Sequence, residues 1–242
     1  MAQKELYKDI ARMTIGLDDT FKFHCTMCGK CCIDREDILL NAMDMYRISK
    51  HLGIAPVEFL NDFCEFYVGD HSNLPVVRLR PEGPEKRCPL LKGKKCLVHE
   101  AKPSVCAMYP LGRYMQLDAS NFNADAVSKA SVQYILQPIN CGKKTDTHTV
   151  REWLSGFNMA AEDEAYIKWN MAISTLGPRL KKMKSMFGEI TMELVYRATL
   201  IALYLNYSPE EEFLPQFENN VTGLVSQFSI VDAAAPGGVM LP

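Results

Sequence analysis

Four of the nine cysteines in this 242-residue chain fall in one short run, Cys25-Thr26-Met27-Cys28-Gly29-Lys30-Cys31-Cys32. Thiols packed this closely have two outcomes, disulfides or a shared metal. C-x-x-C spacing suits an ion, because one short turn can aim both sulfurs at a point. Gly29 allows a positive φ, so the backbone can bend around that point. Cys31 and Cys32 are neighbours, and in an extended segment neighbouring side chains face opposite ways. One of them then completes a C-x-x-C-x-x-C set with Cys25 and Cys28 while the other looks elsewhere.

Compartment decides between the two outcomes. Residues 1–9 lack the apolar run of a secretory signal. The most apolar stretch, 194–205, is broken by Arg197 and is too short to span a bilayer. The chain therefore reads as cytoplasmic, where thiols stay reduced and clustered thiolates serve as ligands rather than bridges. An odd number of cysteines agrees, since a disulfide framework would leave one over. The net charge of −2 gives no electrostatic reason to expect nucleic acid or an acidic membrane as partner. A basic run at 179–184 reads as the solvated end of a helix. The partners expected are metal ions, with a protein partner left open.

The elements that must position these thiols come next. Residues 1–20 are polar, a lead-in helix or an extended arm. Residues 38–40 suit a short strand. Asn41 caps a helix over 42–52 that Gly53 ends. Pro56 opens a second helix, 57–66, on which Cys64 stands alone as a small core residue. Residues 76–79 read as a strand and 80–87 as a loop. Cys88-Pro89-Leu90-Leu91 and Cys96-Leu97-Val98-His99 flank a basic, glycine-containing turn, so a hairpin would bring Cys88 and Cys96 together. Cys106 sits between Pro103 and Pro110, with room for at most one helical turn. Residues 114–117 and 132–136 look like strands, and Cys141-Gly142 follows the second. Beyond Lys144 the pattern is helical. A Thr149–Glu152 capping box opens a helix to about Thr175, stopped by Gly177-Pro178. A further helix spans 190–206, and a last one begins at Ser208-Pro209 and runs to about Ile230.

The fold class is thus α+β. An irregular cysteine-cluster module with short strands, 1–145, packs on a helical scaffold, 146–232, and a loose tail covers 233–242. The metal candidates are Cys25, Cys28, Cys31, Cys32, Cys88, Cys96, Cys106 and Cys141.

This arrangement resembles the YkgJ-type cysteine-cluster family, described as zinc- or iron-chelating. Cys25-x-x-Cys28-Gly29-x-Cys31-Cys32 matches its C-x-x-C-x-x-C-C opening. Cys88-Pro89-x-Leu91 followed by Cys96-x-x-His99-x-x-Lys102-Pro103-x-x-Cys106-x-x-Tyr109-Pro110 is similar to its later motif. Lys102 stands where arginine is usual there, and Ala107 where a second arginine is common. Cys141-Gly142 resembles an element of longer members. The resemblance covers roughly 21–145 and implies metal binding, leaving the metal and any activity open.

Four thiolates at about 2.3 Å make a closed zinc site. The same sets hold [4Fe–4S] or [2Fe–2S] clusters, and the C-x-x-C-x-x-C run matches the first three ligands of a bacterial ferredoxin motif. A second C-x-x-C knuckle, usual in zinc ribbons, is missing, so spacing favours an iron–sulfur cluster, with zinc as the alternative. Cys96-x-x-His99 has ligand spacing, but tyrosine is frequent at that position in the family, which sets His99 outside the ligand set. His24 reads as exposed or behind the ligands, His51, His71 and His148 as surface residues, and Tyr109 as a packed aromatic. Flagellin lysine N-methylase carries a similar cluster, so cluster-assisted modification of a protein side chain is an alternative the resemblance implies. Against it, the C-x-x-x-C-x-x-C spacing of radical S-adenosylmethionine enzymes and a glycine-rich nucleotide loop are both missing. A thiol–disulfide pair at Cys25 and Cys28 would need a βαβ setting that the pattern does not supply.

Overall fold

The computed structural model describes residues 10–117 and 123–234. Its architecture is α+β. Residues 10–13 form a helical turn, followed by β1 (Thr14–Ile15) and β2 (Thr20–His24). Phe21 and Phe23 are buried on one face of β2 while Thr20, Lys22 and His24 stay exposed, the alternation of a half-wet strand.

After the cysteine run come β3 (Leu39–Leu40) and α1 (Ala42–Leu52). The boundaries of α1 are those expected, because they are fixed locally. Asn41 Oδ1 accepts from the N–H of Asp44 over 2.8 Å, Asp44 accepts from the N–H of Asn41, and Gly53 closes the end. The second helix, α2 (Pro56–Phe63), stops short of the expected Phe66. Cys64 instead opens β4 (Cys64–Val68), which pairs with β5 (Pro75–Leu79) and sets Phe66 opposite Val77. Cross-strand pairing of aromatic and β-branched side chains prevails over another helical turn. Cys64 is buried among apolar neighbours.

The expected hairpin is present as β6 (Leu91–Lys92) and β7 (Lys95–Cys96), with Leu91 opposite Cys96. Then follow α3 (Ser104–Met108), the single turn allowed between the prolines, and β8 (Leu111–Met115), shifted N-terminally from the 114–117 expected. Asn123 caps α4 (Ala124–Lys129), and β9 (Val132–Leu136) has the expected bounds. Next is β10 (Lys143–Thr149), antiparallel to β2, so the chain just after Cys141 is strand and not helix.

The helix expected to run from Thr149 to Thr175 is two helices. The capping box does open α5 (Val150–Ser155), but the chain turns at Asn158 with φ 54°. Asp163 then caps α6 (Glu164–Met186) by accepting from the N–H of Tyr166. This helix continues through Gly177-Pro178. An interior proline costs about 3 kcal/mol, whereas burying each large apolar side chain returns about 1.5–3 kcal/mol. Leu176, Leu180 and Met183 are fully buried on the two sides of Pro178, so the helix persists. Its successor α7 (Glu189–Leu200) passes into a π turn at Ile201–Leu205. The last helix, α8 (Phe213–Ala234), begins later than Ser208. Ser208 is instead tied by the Gln216 side chain, which accepts from its N–H over 2.7 Å and donates to its carbonyl over 3.1 Å. Of the expected tail, residues 235–242 lie outside the described residues, as do residues 1–9.

Two apolar clusters result, each drawing side chains from before and after residue 145. The larger joins α1, α2 and β3–β5 to α6–α8, and the smaller centres on Phe21, Phe23, Leu111, Tyr134 and Leu154. Cys88, Cys96 and Cys106 pack against the larger cluster and Cys25 against the smaller. The cysteines therefore gather at the seam.

Candidate metal centre

One cavity of about 70 Å³ is lined by all eight candidate cysteines, and Cys64 is not among its walls. Cys25 and Cys28 reach it from the segment after β2, and Cys31 and Cys32 from a 3₁₀ turn (Lys30–Cys32). Cys88 and Cys96 come from the hairpin region, Cys106 from α3 and Cys141 from the turn before β10.

Local chemistry holds each piece. Gly29, at φ 76°, bends the run into the 3₁₀ turn, and its carbonyl accepts from the N–H of Cys32 over 2.9 Å. The same turn overrides the expectation that Cys31 and Cys32 face apart. Alternation belongs to extended chain, and in the turn their sulfurs lie 3.9 Å apart on one cavity. Gly142, at φ 72°, sits where a Cβ would fall 2.5 Å from the carbonyl oxygen of His24. Cys106 is placed from α1, since the buried Asp44 accepts from the N–H and hydroxyl of Ser104 over 2.8 and 2.6 Å at the start of α3. Burial pushes the Asp44 carboxyl up.

The thiols of Cys31, Cys32 and Cys88 are coupled. The neighbouring Cys32 thiol and burial push Cys31 far above the ordinary thiol range. Cys31 lowers Cys32, yet Cys88 and burial raise it to about 11. Cys88 is held low by Cys32. Cys28 is also low, chiefly through the N–H of Lys30. Burial raises Cys96, Cys106 and Cys141, the last despite a hydrogen bond from the Tyr109 hydroxyl. The hydroxyl of Tyr109 also accepts from the N–H of Asn140 over 3.0 Å, so this ring has a polar role beyond packing.

The donor set is soft and all-thiol, which fits zinc or iron. Two thiolates on one ion at about 2.3 Å and a tetrahedral angle stand roughly 3.8 Å apart, close to the 3.9 Å between Cys31 and Cys32. Among the described residues no three Cys, His, Asp or Glu side chains are already arranged around one ion. Closing on a metal thus requires side-chain rotation on a backbone that gathers the thiols.

Of the histidines, His99 lines the cavity, and burial lowers its pKa, keeping the ring neutral. His24 is half exposed and pairs through Nδ1 with Asp146 over 2.8 Å. His51 and His71 are exposed, as expected. His148 is not a surface residue. It is half-buried, with Nε2 3.0 Å from the carbonyl oxygen of Phe23 and its ring 5.0 Å from that of Trp153. Its pairing opposite Phe21 of β2, invisible without the partner strand, turns it inward.

Residues 24–130 match the family model described as "CxxCxxCC: Putative zinc- or iron-chelating domain". That match covers less than half of the chain and makes the span similar to the CxxCxxCC family. Comparisons with curated proteins and with solved structures each returned no match. Metal binding is the role the family description gives the CxxCxxCC domain, and its thiols line the cavity together with Cys141, which lies past the matched span. No helix among the described residues is long and apolar enough to cross a membrane.

Proposed function

We propose that this protein holds metal on the thiolates of Cys25, Cys28, Cys31, Cys32, Cys88, Cys96, Cys106 and Cys141, and that the bound group is a [4Fe–4S] or [2Fe–2S] cluster. The setting is the cytoplasm, and the role is electron transfer, cluster carriage or metal handling. The supporting observation is that eight thiols, drawn from segments spread over residues 25–141, face one cavity. The ferredoxin-like C-x-x-C-x-x-C spacing supports iron over zinc. Eight donors are twice what one four-thiolate site needs, so the cavity has ligands for two.

Metal in such sites contributes about 10–16 kcal/mol of apparent binding free energy, comparable with the roughly 5–15 kcal/mol stability of a whole domain. Loading would therefore tie the two apolar clusters together at their seam.

Zinc is the second reading, favoured by the 3.9 Å sulfur separation of Cys31 and Cys32. Anaerobic purification with iron, sulfide and zinc analysis decides. A brown protein with stoichiometric sulfide and a visible band that bleaches on reduction supports the cluster. A colourless protein holding stoichiometric zinc replaces it with the second reading, and a metal-free protein sinks both.

A further inference from the structure

Beside the cysteine cavity lies a cleft of about 350 Å³. Cys25, Cys31, Cys106, Cys141 and Lys102 line both spaces and form the wall between them. The far side is aromatic. The rings of Phe23 and Trp153 meet edge to face at 5.5 Å, and those of Trp153 and Phe157 at 5.6 Å. Trp153 is fixed in place, because its Nε1 donates to the carbonyl of Met108 over 3.1 Å. A volume of this size with flat apolar walls and a few polar groups is that of a small-molecule site.

The charges in the cleft are unequal. Arg35 is already committed to Asp37, with Nε and Nη2 donating to the two carboxylate oxygens over 2.6 and 3.2 Å. Lys102 is not. Its Nζ lies 5.4 Å from the centroid of the Phe157 ring, and no carboxylate among the described residues pairs with it. Its backbone is held from α1, where the Arg47 guanidinium donates to the Lys102 carbonyl. One half-buried ammonium with no carboxylate partner among the described residues thus stands over an aromatic wall.

We propose that this cleft binds a small organic carboxylate with a flat apolar body, the carboxylate on Lys102 and the body against the aromatic wall that Trp153 and Phe157 form. A molecule seated there abuts the thiol wall, so the metal-binding domain also presents an organic ligand to its cysteine cavity. The proposal stands whichever metal is held.

The chain has two tryptophans, so in a Trp169→Phe background Trp153 alone reports on the cleft. Phenylacetate is titrated into the full-length protein as purified, with phenylacetamide as the neutral control. Expected is a saturable change in Trp153 emission with phenylacetate, about tenfold weaker binding of phenylacetamide, and loss of that difference in Lys102→Met. Absence of saturable binding overturns the proposal, as does equal affinity for the two probes. Should Lys102 serve only to offset thiolate charge, K102M would alter metal retention and leave phenylacetate affinity unchanged, which also overturns it. If K102M does not fold, the comparison of the two probes in the parent protein decides by itself. Metal analysis of the same preparation tests the metal reading separately.

Discussion

The backbone N–H of Cys88 donates to the carbonyl oxygen of Cys32 over 2.8 Å. The two thiols are also coupled electrostatically, Cys88 held low and Cys32 raised by the other. The first cysteine run and the second motif are thus joined through the main chain, with their thiols coupled beside that bond. Removing either thiol leaves the backbone bond in place and removes the coupling between the thiols. Cys32→Ala and Cys88→Ala should each lower bound metal severely, and the double variant should lose little more than either single one, since the pair acts as a unit. Metal content per chain for the three variants checks this, and additive losses would count against coupling.

Cys64 provides the contrast. It lies in the larger apolar cluster away from the cavity, and burial pushes its thiol up to about 12. Cys64→Ser should keep its full metal complement while losing about 1–3 kcal/mol of stability through a buried hydroxyl. Cys28→Ser and Cys106→Ser should lose metal and solubility together. Metal analysis alongside denaturant unfolding separates the two classes, and a metal-free Cys64→Ser protein would defeat the assignment.

These contrasts follow where sequence is a good guide and where it is not. The bounds of α1 and the hairpin near Cys96 are legible because Asn41, Asp44, Gly53 and Gly93 act within a few residues of themselves. The closeness of Cys25, Cys28, Cys31 and Cys32 is legible from their spacing, whereas Cys106 and Cys141 come to the same cavity through distant packing. Tertiary burial is not written locally, so Pro178 misleads: the packing of Leu176, Leu180 and Met183 that sustains α6 depends on distant partners. His148 and β10 depend likewise on β2, and the shared face of Cys31 and Cys32 on a turn that period-2 reasoning does not contain.

Thiol titration gives the metal-free protein a pH signature. Cys64, Cys96 and Cys106 have folded-state pKa values raised by burial. Their contribution to stability is complete below the unfolded thiol pKa of about 8.5 and is lost as pH climbs through the folded values. Cys88 has the opposite sign. Its lowered folded pKa favours the fold above the unfolded value and loses that favour as pH falls through the folded one. Raised thiols outnumber lowered ones at the seam, so the melting temperature of metal-free protein should fall steadily between neutral and alkaline pH. Metal-loaded protein should show a flatter profile, because bound thiolates are already deprotonated. A flat profile for the metal-free form would contradict the burial argument.

Cys28 should be the first thiol to react. It is exposed, and its thiolate receives the N–H of Lys30 and then that of Gly142. Limited iodoacetamide treatment of metal-free protein near neutral pH, followed by peptide mass mapping, should modify Cys28 well before Cys64 or Cys106. Gly142→Ala links this reactivity to the backbone. A Cβ there meets the His24 carbonyl at 2.5 Å on a residue at φ 72°, so the segment must shift, at a cost of more than about 1 kcal/mol. The shift withdraws one N–H from Cys28 and moves the neighbouring Cys141. Slower alkylation of Cys28 and weaker metal retention in the same variant are the expected pair. Unchanged reactivity together with full metal content would show that Gly142 does not position either thiol.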